Sequence, residues 1–423
     1  MLKSLSLQEK SWVFYDWANS AYSVIISASI LPIFFKSVAK TAGVGANLAD
    51  AWWGYGTSIA TLIVAVLAPI LGTIGDYRGM KMKFFRIFLM LGILSTASLT
   101  LASDWVVLLM LYIATFIGFG GANLFYDAFL IDVTTEDRMD RVSTFGFALG
   151  YIGGSTIPFI ISIALIMFGE KIGISKLTAT KLSFLLTAVW WAAFSIPMLK
   201  NVKQVYFIEH DAHPVINSFK RLLATFRNIK KYKSIFIFLL AYFFYIDGVN
   251  TIIHMATVYG DSLGLSSSTL ILAMLVTQIV AFPFAIIFGK IAEKVGSQKM
   301  ILVGIGIYIV ICILGYRMTT PAEFWVLAIL VATSQGGIQA LSRSYYGKMI
   351  PKESANEFFG FYDIFGKFAA IMGPALFGIS TQLTGQSRYG VLSVTILFVI
   401  GGGILLLNSS KARFAARAAK ETM

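Results

Sequence analysis

Polar groups with chemistry to offer stand inside stretches that are otherwise apolar enough to cross a bilayer. Asp16 and Asn19 lie three apart in WVFYDWANSAYSVII, and Asp247 and Asn250 repeat that spacing in FFYIDGVNTIIHMA. Helical residues three, four or seven apart share a face, so Tyr22 falls near the first pair and His254 near the second. A carboxylate in the hydrocarbon core is costly unless it faces protein, water or a partner. Such groups offer reversible protonation, hydrogen bonding to a solute, or capture of an amine. Helix-to-helix glue is the alternative, and it accounts for the asparagines better than for the aspartates.

Two further sets have the same character. Asn123 and Asp127 are four apart, as are Gln339 and Arg343. These residues are either a charge-neutralising gate, with Asp127 opposite Arg343, or two solvated helix ends. Asp363 and Lys367, also four apart, form either a self-neutralising pair or a cation site for an anionic substrate group. The surrounding GFYDIFGKF is no phosphate loop, because five residues separate its glycines and no Ser or Thr follows Lys367. His210 and His213 read as solvated loop histidines. Cys312 is the single cysteine and lies mid-span, which excludes an intrachain disulfide and a multi-thiolate metal site. No catalytic signature is present, so neither enzyme chemistry nor a metal or other cofactor is expected.

The elements that must position these groups follow from composition. The chain is 57% hydrophobic and 13% charged, far from the balance of a soluble domain. About 20 apolar residues cross the hydrocarbon core. About twelve such runs are read, near 12–37, 52–75, 84–102, 105–130, 142–168, 182–199, 234–260, 268–292, 300–317, 323–345, 357–382 and 388–408. Basic residues gather in the even-numbered connections, as in Arg78, Lys81, Lys83 and Arg86, or Lys220, Arg221, Arg227 and Lys230. By the positive-inside rule both termini are expected in the cytoplasm. The net charge of +13 is then a topology signal, and no nucleic-acid partner is expected. The start MLKSLSLQEK runs straight into a span and shows no signal-peptide cleavage site.

The longest hydrophilic stretch, 200–233, divides the chain into an N-terminal bundle (1–199) and a C-terminal bundle (234–423), each of six helices. Gly72, Asp76 and Gly79 correspond to Gly289, Glu293 and Gly296 at an offset of 217, and Gly120 and Gly121 to Gly336 and Gly337 at 216. The fold expected is all-α, two pseudo-symmetric bundles with substrate between repeats, a common secondary-transporter plan. The two aspartates fit it imperfectly. Asp16 follows Trp12 by only four residues, so either its helix starts earlier, near Gln8, or the acids differ in depth.

GTIGDYRGMKMK at 72–83 resembles the signature loop of the major facilitator superfamily. Within it, DWANSAY at 16–22, YDAFL at 126–130 and GGIQALSRS at 336–344 look like the autophagy-related vacuolar amino-acid effluxers and their bacterial relatives. The resemblance implies alternating access, with Asp76 and Arg78 as latch residues and Glu293 with Lys294 as a degenerate counterpart; Val295 stands where the second arginine would fall. It suggests amino-acid movement equivalent to passage into the cytoplasm from outside. A monomer in a bacterial cytoplasmic membrane that carries amino acids or short peptides, with proton symport as one form of coupling, is the leading expectation. A flippase or exporter of amphiphiles and a non-transporting sensor are the competing readings.

Overall fold

In a computed structural model of the chain, residues 4–209, 214–227, 230–262, 264–318 and 320–421 are described; His210 and His213 lie outside them. Among the described residues, eleven helices are long and apolar enough to cross a membrane. A further helix, Met80–Ser98, opens with Lys81, Lys83 and Arg86, and with it the number is the twelve expected from sequence. Each half of the chain exposes large apolar side chains, Leu62, Val66 and Met110 in the first and Ile329 in the second, as suits a lipid-facing surface.

The chain packs as two compact units. The first comprises Met1–Glu136, Phe145–Leu222 and Pro351–Gly360; the second comprises Asp137–Thr144, Leu223–Ile350 and Phe361–Met423. Each unit thus includes one short segment from the other half of the chain.

The first unit holds α1 (Leu7–Tyr22), α2 (Ala46–Gly75), α3 (Met80–Ser98) and α4 (Trp105–Ala128). Local chemistry sets their starts. Ser6 and Glu9 cap α1 reciprocally, and the Asp104 carboxylate accepts from Val106 and Val107 N–H to open α4. The first span continues beyond α1 as a π-helical stretch, Ser23–Ser29. In the fifth, α5 (Met139–Leu149) leads into another, Gly150–Thr156. π segments disturb the regular ladder and often mark functional positions. Here they lie in neighbouring spans: a side chain at Gly150 would strike Ser20, and one at Gly153 the Trp17 ring. The unit closes with α6 (Lys176–Asn201) and most of a linker helix, α7 (Pro214–Arg227).

The second unit holds α8 (Lys233–Ser262), α9 (Ser267–Val295), α10 (Ser297–Arg317) and α11 (Pro321–Met349). The eleventh span, which belongs to this unit from Phe361 on, is broken: α12 (Ala355–Phe368) ends, and α13 (Met372–Thr384) begins after three residues. The last long helix is α14 (Thr395–Glu421). Equivalent loops bear the mark of duplication. Gly79 (φ 76°) and Gly296 (φ 96°), 217 residues apart, both adopt the left-handed backbone that lets one helix end and the next begin.

Candidate functional site

In the first unit, two sequence motifs interlock. The Tyr126 hydroxyl donates to Asp16 Oδ2 at 2.7 Å, and Asn19 Nδ2 donates to Asn123 Oδ1 at 2.7 Å. Asp16 and Asn19 on α1 therefore meet Asn123 and Tyr126 on α4, an i,i+3 pair against an i,i+3 pair. Trp12 fixes the arrangement by stacking on Tyr126 at 4.5 Å and donating its indole N–H to the Tyr126 carbonyl at 2.8 Å. Tyr22 is fully buried and stacks on Phe119. Asp127 is half-buried beside this set.

In the second unit, Asp247 is fully buried on α8. Its Oδ1 accepts from the backbone N–H of Gly373 at 3.0 Å and from the Thr251 hydroxyl at 3.3 Å. Gly373 is in the first turn of α13, so the carboxylate faces the positive end of a half-helix inside the membrane-crossing segment. Oδ2 has no hydrogen-bond partner among the described residues. The other half of the broken span ends beside Lys367, a cation at the negative end of α12, and Lys367 pairs with Asp363 one turn earlier. Asn250 and Gln339 are half-buried, and His254 is exposed.

The helix starts decide one alternative left by the sequence. The first helix does begin earlier, at Leu7, and α8 begins at Lys233. At 1.5 Å per residue, Asp16 lies about 14 Å and Asp247 about 21 Å from its own helix start. The acids are not equivalent in surroundings either, since one bonds a tyrosine and the other a helix terminus.

The signature loop is built around Asp76, which caps α2 at its C-terminal end and is 1% exposed. Oδ1 accepts from the Asn356 backbone N–H at 2.8 Å and from Asn356 Nδ2 at 3.0 Å. Oδ2 pairs with Arg221 at 3.1 Å, and the same guanidinium nitrogen reaches Glu357 at 3.0 Å. Burial, opposed by Arg221 and Lys81, pushes the Asp76 carboxyl up to about 7. Arg78, two residues on, is exposed; it lies over the Phe207 ring and pairs with Glu209 at 3.5 Å. The arginine that meets Asp76 is Arg221 of the linker helix, which the sequence marks only as part of a basic loop.

Two more buried charges surround the loop. Lys81 is fully buried against Asp132 at 2.6 Å, and the other Asp132 oxygen accepts from the N–H groups of Val205 and Tyr206. The start of the linker is thereby held, with Tyr77 and Ile208 bridging in parallel.

The second unit has an analogous junction with different chemistry. Asp140, 216 residues before Asn356, accepts from Ser297 at 2.7 Å and Ser344 at 2.6 Å and pairs with Lys348 at 2.6 Å. Arg343 is buried, and its guanidinium donates to the Ser143 hydroxyl at 3.0 Å and the Ser143 carbonyl at 3.1 Å. Glu293 and Lys294, the sequence counterparts of the signature loop, are exposed. The glycines do correspond. A side chain on Gly72 would collide with the Asn356 carbonyl, and one on Gly289 with Thr144.

Comparison with known proteins places this geometry. A family model described as "Vacuole effluxer Atg22 like" matches residues 48–417. The MFS-type transporter YxiO of Bacillus subtilis (strain 168) is 56% identical over 409 residues, covering 96% of this chain and 95% of its own. Autophagy-related protein 22 of Cryptococcus neoformans var. neoformans serotype D (strain B-3501A) is 26% identical over 284 residues, covering 62% of this chain. The chain spans about half the length of such fungal relatives, 51% in this case. Among solved structures, the human organic anion transporter MFSD10 (TETRAN) matches with a TM-score of 0.72 at 12% identity, over 94% of this chain and 99% of that one. The proton:xylose symporter XylE matches with the same TM-score and identity, over 95% and 94%. These two likenesses establish the fold, and the sequence matches establish the lineage. The chain belongs to the vacuole effluxer Atg22-like family, has the major facilitator fold and is a multi-pass membrane transporter.

Proposed function

We propose that the protein is a proton-coupled secondary transporter of a small polar solute, amino acids or short peptides, working by alternating access. The observation that carries this reading is Asp247: a fully buried carboxylate, one oxygen without a partner among the described residues, set at the start of a half-helix in a broken span. Interrupted helices whose ends face a charged group are how transporters build solute and ion sites within a membrane. In this reading Asp247 and Asp16 take up the proton or the substrate amine. Asn19, Asn250 and Gln339 supply hydrogen bonds, and Lys367 or Arg343 meets the substrate carboxylate. Tyr22, Asn123 and His254 border the solute path. Asp76, Arg78, Asp127, Glu293, Lys294 and Asp363 belong to gating. The distribution of basic connections supports both termini inside a bacterial cytoplasmic membrane, and the protein acts as a monomer in this reading.

The test is uptake of labelled amino acids and dipeptides into liposomes containing the purified protein, with and without a pH gradient. Accumulation should follow the gradient in the wild type and be lost in Asp247→Asn, which should retain gradient-independent exchange. Uptake indifferent to the gradient would remove proton coupling; unimpaired accumulation by Asp247→Asn would remove Asp247 from it.

A further inference from the structure

A cavity of about 130 Å³ lies wholly within the second unit, among α8, α9, α10, α11 and α13. Its walls are chiefly apolar, with Ile252, Leu270, Phe324 and Phe377 among them. The hydroxyls of Thr251, Tyr259 and Thr277 are bonded to Asp247, Gly315 and Ala273, and two amides complete the polar lining: Gln278 on α9 and Gln335 on α11. Gln335 is 3% exposed, its Nε2 has no partner among the described residues, and neither has Gln278 Oε1. A buried donor or acceptor left unpaired costs about 1–3 kcal/mol, so two in one cavity call for an occupant.

Water fits this space poorly. A water molecule needs two to four polar partners and takes up about 30 Å³. Two unpaired amide atoms hold roughly one such molecule and leave most of the cavity facing hydrocarbon. An apolar cavity of about 150 Å³ is large enough for one benzene ring. A hydroxyl has the chemistry that each amide lacks, since it can accept from an N–H such as Gln335 Nε2 and donate to an oxygen such as Gln278 Oε1.

We propose that this cavity is a binding site for a compact apolar molecule bearing one hydroxyl, of the phenol or cyclic-alcohol class. The site goes beyond the transport reading, since neither amide belongs to the set proposed to carry solute. It is nonetheless connected to that set. Thr251 lines the cavity and donates to Asp247, so an occupant that shifts Thr251 alters the hydrogen bonding of the carboxylate.

The probes are 4-fluorophenol and fluorobenzene, titrated against the purified full-length protein and followed by fluorine NMR. Saturable binding is expected for both, about tenfold tighter for 4-fluorophenol because only it can pair with the amides. Gln335→Leu should abolish most of that preference while leaving fluorobenzene binding near its wild-type level. Ala328→Phe, which fills the cavity, should block both probes; if that variant does not fold, the Gln335→Leu comparison decides alone. Non-saturable uptake equal in all variants, which is mere partitioning into detergent, would overturn the proposal. So would a co-purifying phospholipid found by native mass spectrometry to be displaced by Ala328→Phe, since it would make the occupant an acyl chain.

Discussion

The Asp76 carboxylate caps the start of α12 by accepting both the backbone and the side-chain N–H of Asn356, at 2.8 and 3.0 Å. A loop following α2 is thereby fastened to a helix that begins 280 residues later in the chain. The charge that remains is shared, since Arg221 serves Asp76 and Glu357 together. Burial outweighs that single arginine at Asp76, which is why the acid holds its proton up to about pH 7.

The pH dependence follows from that imbalance. A carboxyl whose folded value rises from 3.8 to about 7 binds its proton more tightly when folded. Its contribution to stability is present below about pH 4, falls as pH rises through 7, and is flat above. Asp76→Asn keeps an acceptor for Asn356 and cannot titrate. The melting temperature of the wild type relative to Asp76→Asn should therefore fall between pH 5 and 7 and level off by about pH 8. Parallel curves across that range would show that Arg221, Lys81 and Glu357 balance the acid completely.

Lys81 and Asp132 make a different case, because both side chains are fully buried and pair with each other at 2.6 Å. Lys81→Met should destabilise the protein by about 3–5 kcal/mol, the cost of stranding one buried charge. Lys81→Met with Asp132→Leu should recover part of it. Recovery stays incomplete because Asp132 also receives the Val205 and Tyr206 N–H groups. Thermal melting of Lys81→Met, Asp132→Leu and the double variant against the wild type, in one detergent, measures the cycle.

Gly72 and Gly289 are equivalent in sequence but not in what they face. Gly72→Ala drives a methyl into the Asn356 backbone, which cannot rotate away, whereas Gly289→Ala meets the Thr144 side chain. Gly72→Ala should lose most transport and about 1–3 kcal/mol of stability. Gly289→Ala should be milder and improve when combined with Thr144→Ala. Equal losses, with no improvement in the double variant, would mean that both junctions are limited by backbone.

Gly373→Ala places a methyl against Thr251 and Asp247 Oδ1 and so pushes the carboxylate off the start of α13. Uptake should fall about tenfold or more, the effect of one lost charge-assisted hydrogen bond. Gly378→Ala, in the same helix with open space around it, should transport as the wild type does. Flux assays on matched amounts of each variant separate the local effect from a general weakening of α13.

Spans and repeats were legible in the sequence because both rest on local rules: apolar length for the helices, and glycine recurrence for the close contacts. Asp16, Asn19 and Asn123 could be singled out because burial of a polar group is visible in a run of apolar neighbours. Their union was not, since Asn123 pairs by sequence spacing with Asp127 but in space with Asn19. Arg221 was missed for a related reason: on a basic loop nothing distinguishes the one arginine that turns inward, 145 residues from its acid. Lys81, counted among the loop cations, proved fully buried because Asp132 offsets it. The break between Phe368 and Met372 was legible in principle and missed, because Pro374 lacks the N–H that would bond the Ala370 carbonyl and Gly373 precedes it.

The two loop junctions are alike in shape and unlike in charge. One gathers two carboxylates around one arginine, and the other sets one carboxylate against one lysine. The first holds an acid that titrates near neutrality, where burial outweighs Arg221 and Lys81. Acidity near neutrality reaches that junction through Asp76, so the loop itself senses the medium.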